Sequence, residues 1–566
     1  MSDPLERERA LLKQGETRGG KHRFLAYTKL SGPGWLQSAI TLGGGSLSTS
    51  LFLGILGGTS LLWIQPIAML LGIVMLCAIS YVTLSTGEKP FALVKRHFNP
   101  VVAWGWIIAT LLANVIWSLP QFSLGTAAVT QNLFPGTSPT LVSIVMLIIS
   151  FAVVWFYESG SRGIRLFENI LKAIVALIVI SFIGVVFKMS FSSNSLDWGH
   201  IFSGFIPKFS QLTTPSASFA EALAALPEKS LRFWENEIVT QQRGVIFSGV
   251  TYAVGINMTF LLPCSLLAKG WDKDFRGLAC FDLSTSLLIP FFLATSCIVI
   301  ASAHQFHAKP EAGLITEIDA SGQVVKMDQD QPESPLKGKY QQLLVKKLNT
   351  EKGVSIRINE PKVETTIAAL PLAEKRLAAM LVKRGALSLA SSLEPLMGKT
   401  FSHLVFGFGV FAMTLSSIII LMLINGFVLC EMLGVEKESI WHRLGCLLPG
   451  IGVLGPFIWK NASFWVVVPT STIGLLALPL AYLSFFILFN DKKLLKKDRI
   501  EGKLRLLLNT IMILAIAFVS FGCVWAAYDL AGGLSIVGIS LFILLTVVVG
   551  VKRKKRTSQQ IKASHV

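Results

Sequence analysis

Twelve stretches of this chain are apolar for long enough to cross a lipid bilayer, and that feature decides most of what it can fold into. A spanning helix needs roughly 20 residues, and within the hydrocarbon every backbone polar group must find its partner inside the protein. The stretches fall at 33–57, 59–84, 101–124, 138–157, 165–187, 244–268, 279–304, 401–430, 440–459, 463–489, 504–527 and 532–551. An all-α polytopic membrane protein follows. A mean hydropathy of +0.61, with 52% hydrophobic and 15% charged residues, excludes the soluble classes.

The net charge of +18 would suit nucleic acid only if it were gathered on one face. Instead the basic residues occupy alternate connections: Lys89, Lys95 and Arg96; Arg162 and Arg165; Lys269, Lys273 and Arg276; the run Asp491 to Arg499; and Lys552 to Arg556. The connections at 57–60 and 133–139 carry no charge. This pattern places both termini in the cytoplasm of the cell (inner) membrane, with the bilayer as partner and no nucleic acid. Residues 1–30 have no apolar signal-peptide core and read as a cytoplasmic tail lying near anionic lipid. The expected organisation is that tail, a first membrane block at 31–304, an extracytoplasmic insert at 305–400, a second block at 401–551 and a basic tail at 552–566.

Within the insert, Leu314 to Lys326 alternates around a Ser-Gly turn, as a β-hairpin does, and Leu372 to Leu393 has helical periodicity. The charged piece Pro227 to Glu237 predicts a short amphipathic surface helix, and Asn461-Ala-Ser463 fits a glycosylation sequon. The seven cysteines are scattered through apolar segments and imply neither disulfides nor a zinc site. No P-loop, nucleophile elbow, H-E-x-x-H or Ser/His/Asp set is present, so no enzyme is expected; His304 and His403 read as interfacial.

Two spans are interrupted. Gly43, Gly44 and Gly45 break the first, and Gly255 with Pro263 breaks the sixth, with Asn257 and Thr259 between them. Each break has a plainer reading, a close-packing glycine face in the first and a proline kink in the sixth. Paired breaks at positions one and six, however, are what two inverted five-helix repeats would bring face to face around a transport site.

At these residues the chain resembles the NRAMP (natural resistance-associated macrophage protein) family of divalent-metal transporters. The motifs are Gly32-Pro-Gly-Trp-Leu36, Ser161-Arg-Gly-Ile-Arg-Leu-Phe-Glu168, Phe406 to Ser417, and Leu476 to Tyr482 running on to Leu494. The resemblance implies a LeuT-like fold of two inverted five-helix repeats with two further helices, and a small α+β external insert. It implies a metal site at the family's Asp-Pro-Gly-Asn motif, which reads Gly43-Gly44-Gly45-Ser46 here. The family's Ala-x-x-Met-Pro-His aligns with Ile256 to Leu261, and its acidic pair in helix three with apolar residues near Leu119 and Phe122. The carboxylate, thioether and imidazole therefore read as missing. Glu88, Glu158, Glu168, Asp282, Glu431, Asp491 and Asp529 all read as lying at or beyond span ends.

Stripping a divalent ion costs tens of kcal/mol in low dielectric, which metal sites offset with such ligands. The residues thus point to an alternating-access secondary transporter for a small anion or polar solute such as bicarbonate. Its site would be the amides of Gly43, Gly44, Gly45 and Ser46, with Ile256, Asn257 and Thr259. Sodium is the candidate coupling ion, because Ser416 and Ser417 stand where the resemblance puts sodium-holding hydroxyls; helix–helix glue is the competing role. Two alternatives stand beside this reading: a transporter of partly hydrated magnesium or manganese through neutral oxygens, and a non-transporting receptor or scaffold.

Overall fold

A computed structural model describes residues 4–158, 160–191, 196–319, 323–328, 334, 336–352, 356–357, 360, 363–382, 384–458 and 463–563. Among them, eight helices are long and apolar enough to cross a membrane: Ile64–Thr86, Pro100–Leu133, Pro139–Tyr157, Gly163–Ser190, Lys273–Phe306, Lys399–Leu433, Gly502–Tyr528 and Gly533–Arg553. The first span is a ninth, bent by 52° where Pro33–Thr41 gives way to Gly44–Leu61. The sixth is also broken, between the helices Glu228–Ala253 and Ile256–Ala268. The tenth lies in Ser463–Asn490. This is an integral membrane protein, with exposed Leu, Ile, Val and Phe side chains along its last two helices.

The segment at 440–459 departs from the sequence expectation of a regular span. It forms a helix at Ile440–Leu447, a 3-10 stretch at Leu448–Leu454 and one short turn at Gly455–Ile458. Its glycines pack directly on the third span, which explains the tight winding. A Cβ on Gly452 would lie 2.6 Å from Phe122 and from Ser118 Oγ, and one on Gly455 only 2.1 Å from the Leu119 carbonyl oxygen.

The N-terminal tail is a helical hairpin, Pro4–Arg18 and Gly20–Leu30, seated on the connection after the sixth span. Leu12 is buried, Trp271 donates to Glu8 at 3.2 Å, and Arg9 meets Asp272 at 2.9 Å and also pairs with Asp274. The hairpin runs into the first half-helix within three residues. That half-helix starts on a carboxylate. Asp282 is buried, accepts from Gly34 N at 2.7 Å and Gly32 N at 3.2 Å, and takes the Ser31 hydroxyl as well. It satisfies amides that a helix start leaves unpaired. Asp282 sits in the helix Lys273–Phe306, immediately before the π-helical turn Leu283–Leu287, level with the start of the first span. Around the same start, Lys172 donates to the Ser31 carbonyl at 2.9 Å and Lys269 pairs with Glu168 at 3.1 Å.

The insert is folded. Thr316–Ile318 and Val324–Lys326 pair antiparallel with Glu317 opposite Val325, as the alternation indicated, and helices at Lys337–Lys352, Val363–Ala368, Leu372–Leu381 and Ala386–Met397 complete it. Pro227 to Glu237 is no separate surface helix: from Glu228 on it is the start of the 26-residue helix that enters the sixth span. That helix holds the insert through Ser230 to Glu374 at 2.7 Å and Lys346 to Glu237 at 2.7 Å. The sequon at Asn461 lies outside the described residues. His403 contacts Glu394 and Asn132.

His307, directly after the last residue of the seventh span, should give the fold a pH dependence. Its Nδ1 faces the Ile55 carbonyl at 2.9 Å and its Nε2 faces the Ser218 hydroxyl at 2.6 Å, an arrangement suited to neutral imidazole. Burial pushes its pKa down, against the raising effect of the Ile55 bond. The folded state therefore resists protonation while the unfolded chain takes a proton near pH 6.5, so stability falls as pH drops through that value. Thermal midpoints of wild type should fall between pH 7.5 and 5.5, and His307→Gln should flatten the curve; parallel curves would refute the assignment.

Candidate functional site

The two breaks face each other. Leu42 and Gly43 leave helical geometry (Gly43 φ −120°, ψ −178°), and so does Gly255 (φ −81°, ψ 163°). Thr41 Oγ1 lies 3.2 Å from Met258 Sδ, tying one break to the other. Between them is a cavity of about 30 Å³, whose lining includes Thr41, Gly43, Gly45, Gln121, Asn257, Met258 and Ser417. That is room for about two waters, or for one small ion with part of its shell.

The glycines are required here for closeness. A Cβ on Gly43 would sit 2.1 Å from Ser417 Oγ, and one on Gly44 would sit 2.7 Å from Gln121 Oε1. Both readings of the run thus hold together: it breaks the helix and it packs tightly. The freed groups are then taken up locally. Gly44 N donates to Gln121 Oε1 at 3.0 Å, Ser46 Oγ donates to the Gly43 carbonyl at 2.8 Å, and Ser48 Oγ to the Gly44 carbonyl at 2.8 Å.

Of the residues singled out from the sequence, Gly43, Gly45, Asn257 and Ser417 line the cavity. Gly44 lies behind it with its amide occupied. Ser46 is turned back onto its own helix, so it offers no side-chain ligand. Thr259 points away: its hydroxyl donates to the Ile256 carbonyl and accepts from Trp106 Nε1 at 3.1 Å, so neither Thr259 nor Ile256 lines the cavity. Asn257 spends its Oδ1 on Met258 N at 2.9 Å. The two serines divide. Ser416 donates to the Ala39 carbonyl at 2.8 Å, joining the eighth span to the first half-helix, whereas Ser417 Oγ is buried at the cavity without a hydrogen-bond partner among the described residues.

Six cavity residues escaped the sequence reading, the apolar Ile40 and Leu421 and, with chemistry of their own, Thr41, Trp117, Gln121 and Met258. Leu119 and Phe122, the residues aligned with the family's acidic pair, do not line the cavity. Those two pack against the 440–459 segment, while Trp117 and Gln121, four apart, share the inward face. A lone glutamine mid-span was the available signal. The thioether read as missing is also present, supplied by Met258. Among the described residues no group of three or more His, Cys, Asp or Glu side chains is placed to hold a metal.

The family profile described as Natural resistance-associated macrophage protein-like matches residues 34–326 and 368–526. The chain belongs to that family. Among curated relatives it is similar to a manganese transporter of Schizosaccharomyces pombe, 24% identical over 32% of this chain and 34% of the relative. It is likewise similar to the divalent metal cation transporter MntH of Granulibacter bethesdensis, 28% identical over 33% and 40%. The matched stretches thus span well under half of those relatives. In structure it is similar to the manganese transporter of Eremococcus coleocola in complex with an aromatic bis-isothiourea substituted compound. The TM-score is 0.60 at 14% identity, over 94% of this chain and 95% of that one. The fold is the LeuT-like one of this family.

Proposed function

We propose that this chain is a secondary transporter that carries a divalent metal ion by alternating access, holding it through neutral oxygens and the Met258 sulfur with part of its water shell kept. Gln121 carries the reading. Its carbonyl oxygen occupies the Gly44 amide, the donor an oxyanion at the helix start would need. The acceptors an ion could use there are a second lone pair on Gln121 Oε1, the Ser417 hydroxyl oxygen and the Met258 thioether, beside the amide nitrogens of Gln121 and Asn257. A bare doubly charged ion would find no carboxylate, but magnesium gives up its waters reluctantly, and a cavity of about 30 Å³ admits an ion with only a small retained shell. Manganese is favoured by the softer sulfur and by the substrates named for the relatives. On the half-helix toward the N-terminal hairpin, the Gln37 amide and Ser38 hydroxyl are buried with no hydrogen-bond partner among the described residues. They are polar groups for an ion to meet on its way out. The bicarbonate reading loses the Gly44 amide and the Thr259 hydroxyl among the donors on which it rested.

Uptake into proteoliposomes tests this. Saturable manganese or magnesium entry without bicarbonate flux is expected; bicarbonate flux alone would overturn the cargo, and no flux at all would favour a receptor or scaffold. A sodium-gradient arm reads the coupling ion. One substitution sharpens the case. Gln121→Glu keeps an acceptor for Gly44 N and adds a full charge within a few ångströms of the ion, worth several kcal/mol even at an effective dielectric of about 20. Metal affinity should tighten by about tenfold or more in calorimetry; unchanged affinity would place the ion elsewhere.

A further inference from the structure

A second cavity, of about 520 Å³, opens on the side of the bundle between the second span, the start of the seventh, the end of the tenth and the eleventh. Its lining is almost wholly apolar, including Leu70, Val74, Ala78, Phe489 and Met512, and it ends at Tyr81 and Ile500. From Leu70 to Tyr81 along one helix is about 16 Å, close to the ~15 Å depth of a single hydrocarbon leaflet. The groove has the length and chemistry of a seat for an acyl chain.

The end of the groove is basic. The connection from Asp491 to Arg499 holds five basic residues against two acidic ones, and both acids are already engaged. Asp491 accepts from Lys493 N at 2.8 Å, and Asp498 pairs with Arg276 at 3.0 Å. Arg276 lies over the Tyr81 ring at 4.7 Å, and Tyr81 Oη donates to the Asp498 carbonyl at 2.6 Å, which fixes the loop to the groove's mouth. Lys496 and Lys497 are exposed there. Arg499 has a buried Nε with no hydrogen-bond partner among the described residues, and the next residue, Ile500, lines the groove. Surplus positive charge directly above an acyl-sized slot calls for an anionic headgroup on an apolar tail.

We propose that this groove holds one chain of an anionic phospholipid whose phosphate rests on Lys496, Lys497 and Arg499. The test is native mass spectrometry of the full-length protein released from membranes containing phosphatidylglycerol and phosphatidylcholine in equal amounts. One retained phospholipid, enriched in phosphatidylglycerol, is expected. A Lys496→Gln/Lys497→Gln/Arg499→Gln variant should lose retention by about tenfold or more, the scale of three lost cation contacts. Ala78→Trp, which fills the slot and leaves the loop intact, should lose it too. The triple variant is confined to the loop, so it reads the proposal even where the tryptophan variant fails to fold. Equal retention of both lipids, undiminished retention in the triple variant, inorganic phosphate as the sole adduct, or a second copy of the chain in place of lipid would each overturn it.

Discussion

Gly43→Ala should slow metal uptake by roughly 10- to 100-fold while leaving the protein folded, and adding Ser417→Ala should restore part of it, the remaining deficit being the lost Ser417 oxygen. The added methyl would meet Ser417 Oγ at 2.1 Å, so the serine side chain has to move within the closed site. Forcing an extra carbon into a closed site costs about 1–3 kcal/mol, enough to slow passage through the closed state by roughly 10- to 100-fold. The next atoms away are the Ile40 carbonyl oxygen at 3.2 Å and Ser417 Cβ at 3.3 Å, which small shifts accommodate. Removing the hydroxyl therefore removes the clash. A single variant with wild-type rates, or a double variant no better than the single, would mean that the first break is not part of the transport path.

Asp282→Ala should release the first half-helix. The side chain accepts from two buried amides and from the Ser31 hydroxyl, with Ser286 Oγ a further 3.1 Å contact. Hydrogen bonds to a charged group are worth about 1.5–3 kcal/mol each, and leaving buried donors unpaired adds to the loss. About 3 kcal/mol or more of local stability should go, and it should go locally, because Lys172 and the Glu168–Lys269 pair still flank the site. Hydrogen exchange over residues 33–41 should accelerate by roughly 100-fold with residues 44–57 little changed. Uniform loss across both halves, or none, would contradict a hinge at Gly43. Asp282→Asn, which keeps one carbonyl acceptor, should fall between.

The spans and both breaks were legible because apolar length and glycine runs are local properties of the chain. The 440–459 segment was not: its apolar residues fit a span, but Pro449, Gly450, Gly452, Gly455 and Pro456 wind it tightly against the third span. At the site, sequence located the breaks but misjudged which way side chains face. Ser46 and Thr259 look like ligands until their bonds to nearby carbonyls are seen, a habit of hydroxyls in helices. Gln121 was overlooked because a neutral amide carries no charge signal, yet it is the group on which the proposed choice of a cation over an anion rests. The N-terminal hairpin was missed because its anchors, Asp272, Asp274 and Trp271, lie more than 260 positions away from Arg9 and Glu8.

The most direct measurement is anomalous scattering from crystals grown with manganese. A single peak among Gly43, Gln121, Met258 and Ser417 is the expected result, with water between the ion and at least some of its protein oxygens. No peak at that cavity, or an anion seated on the Gly44 amide with Gln121 displaced, would contradict the account.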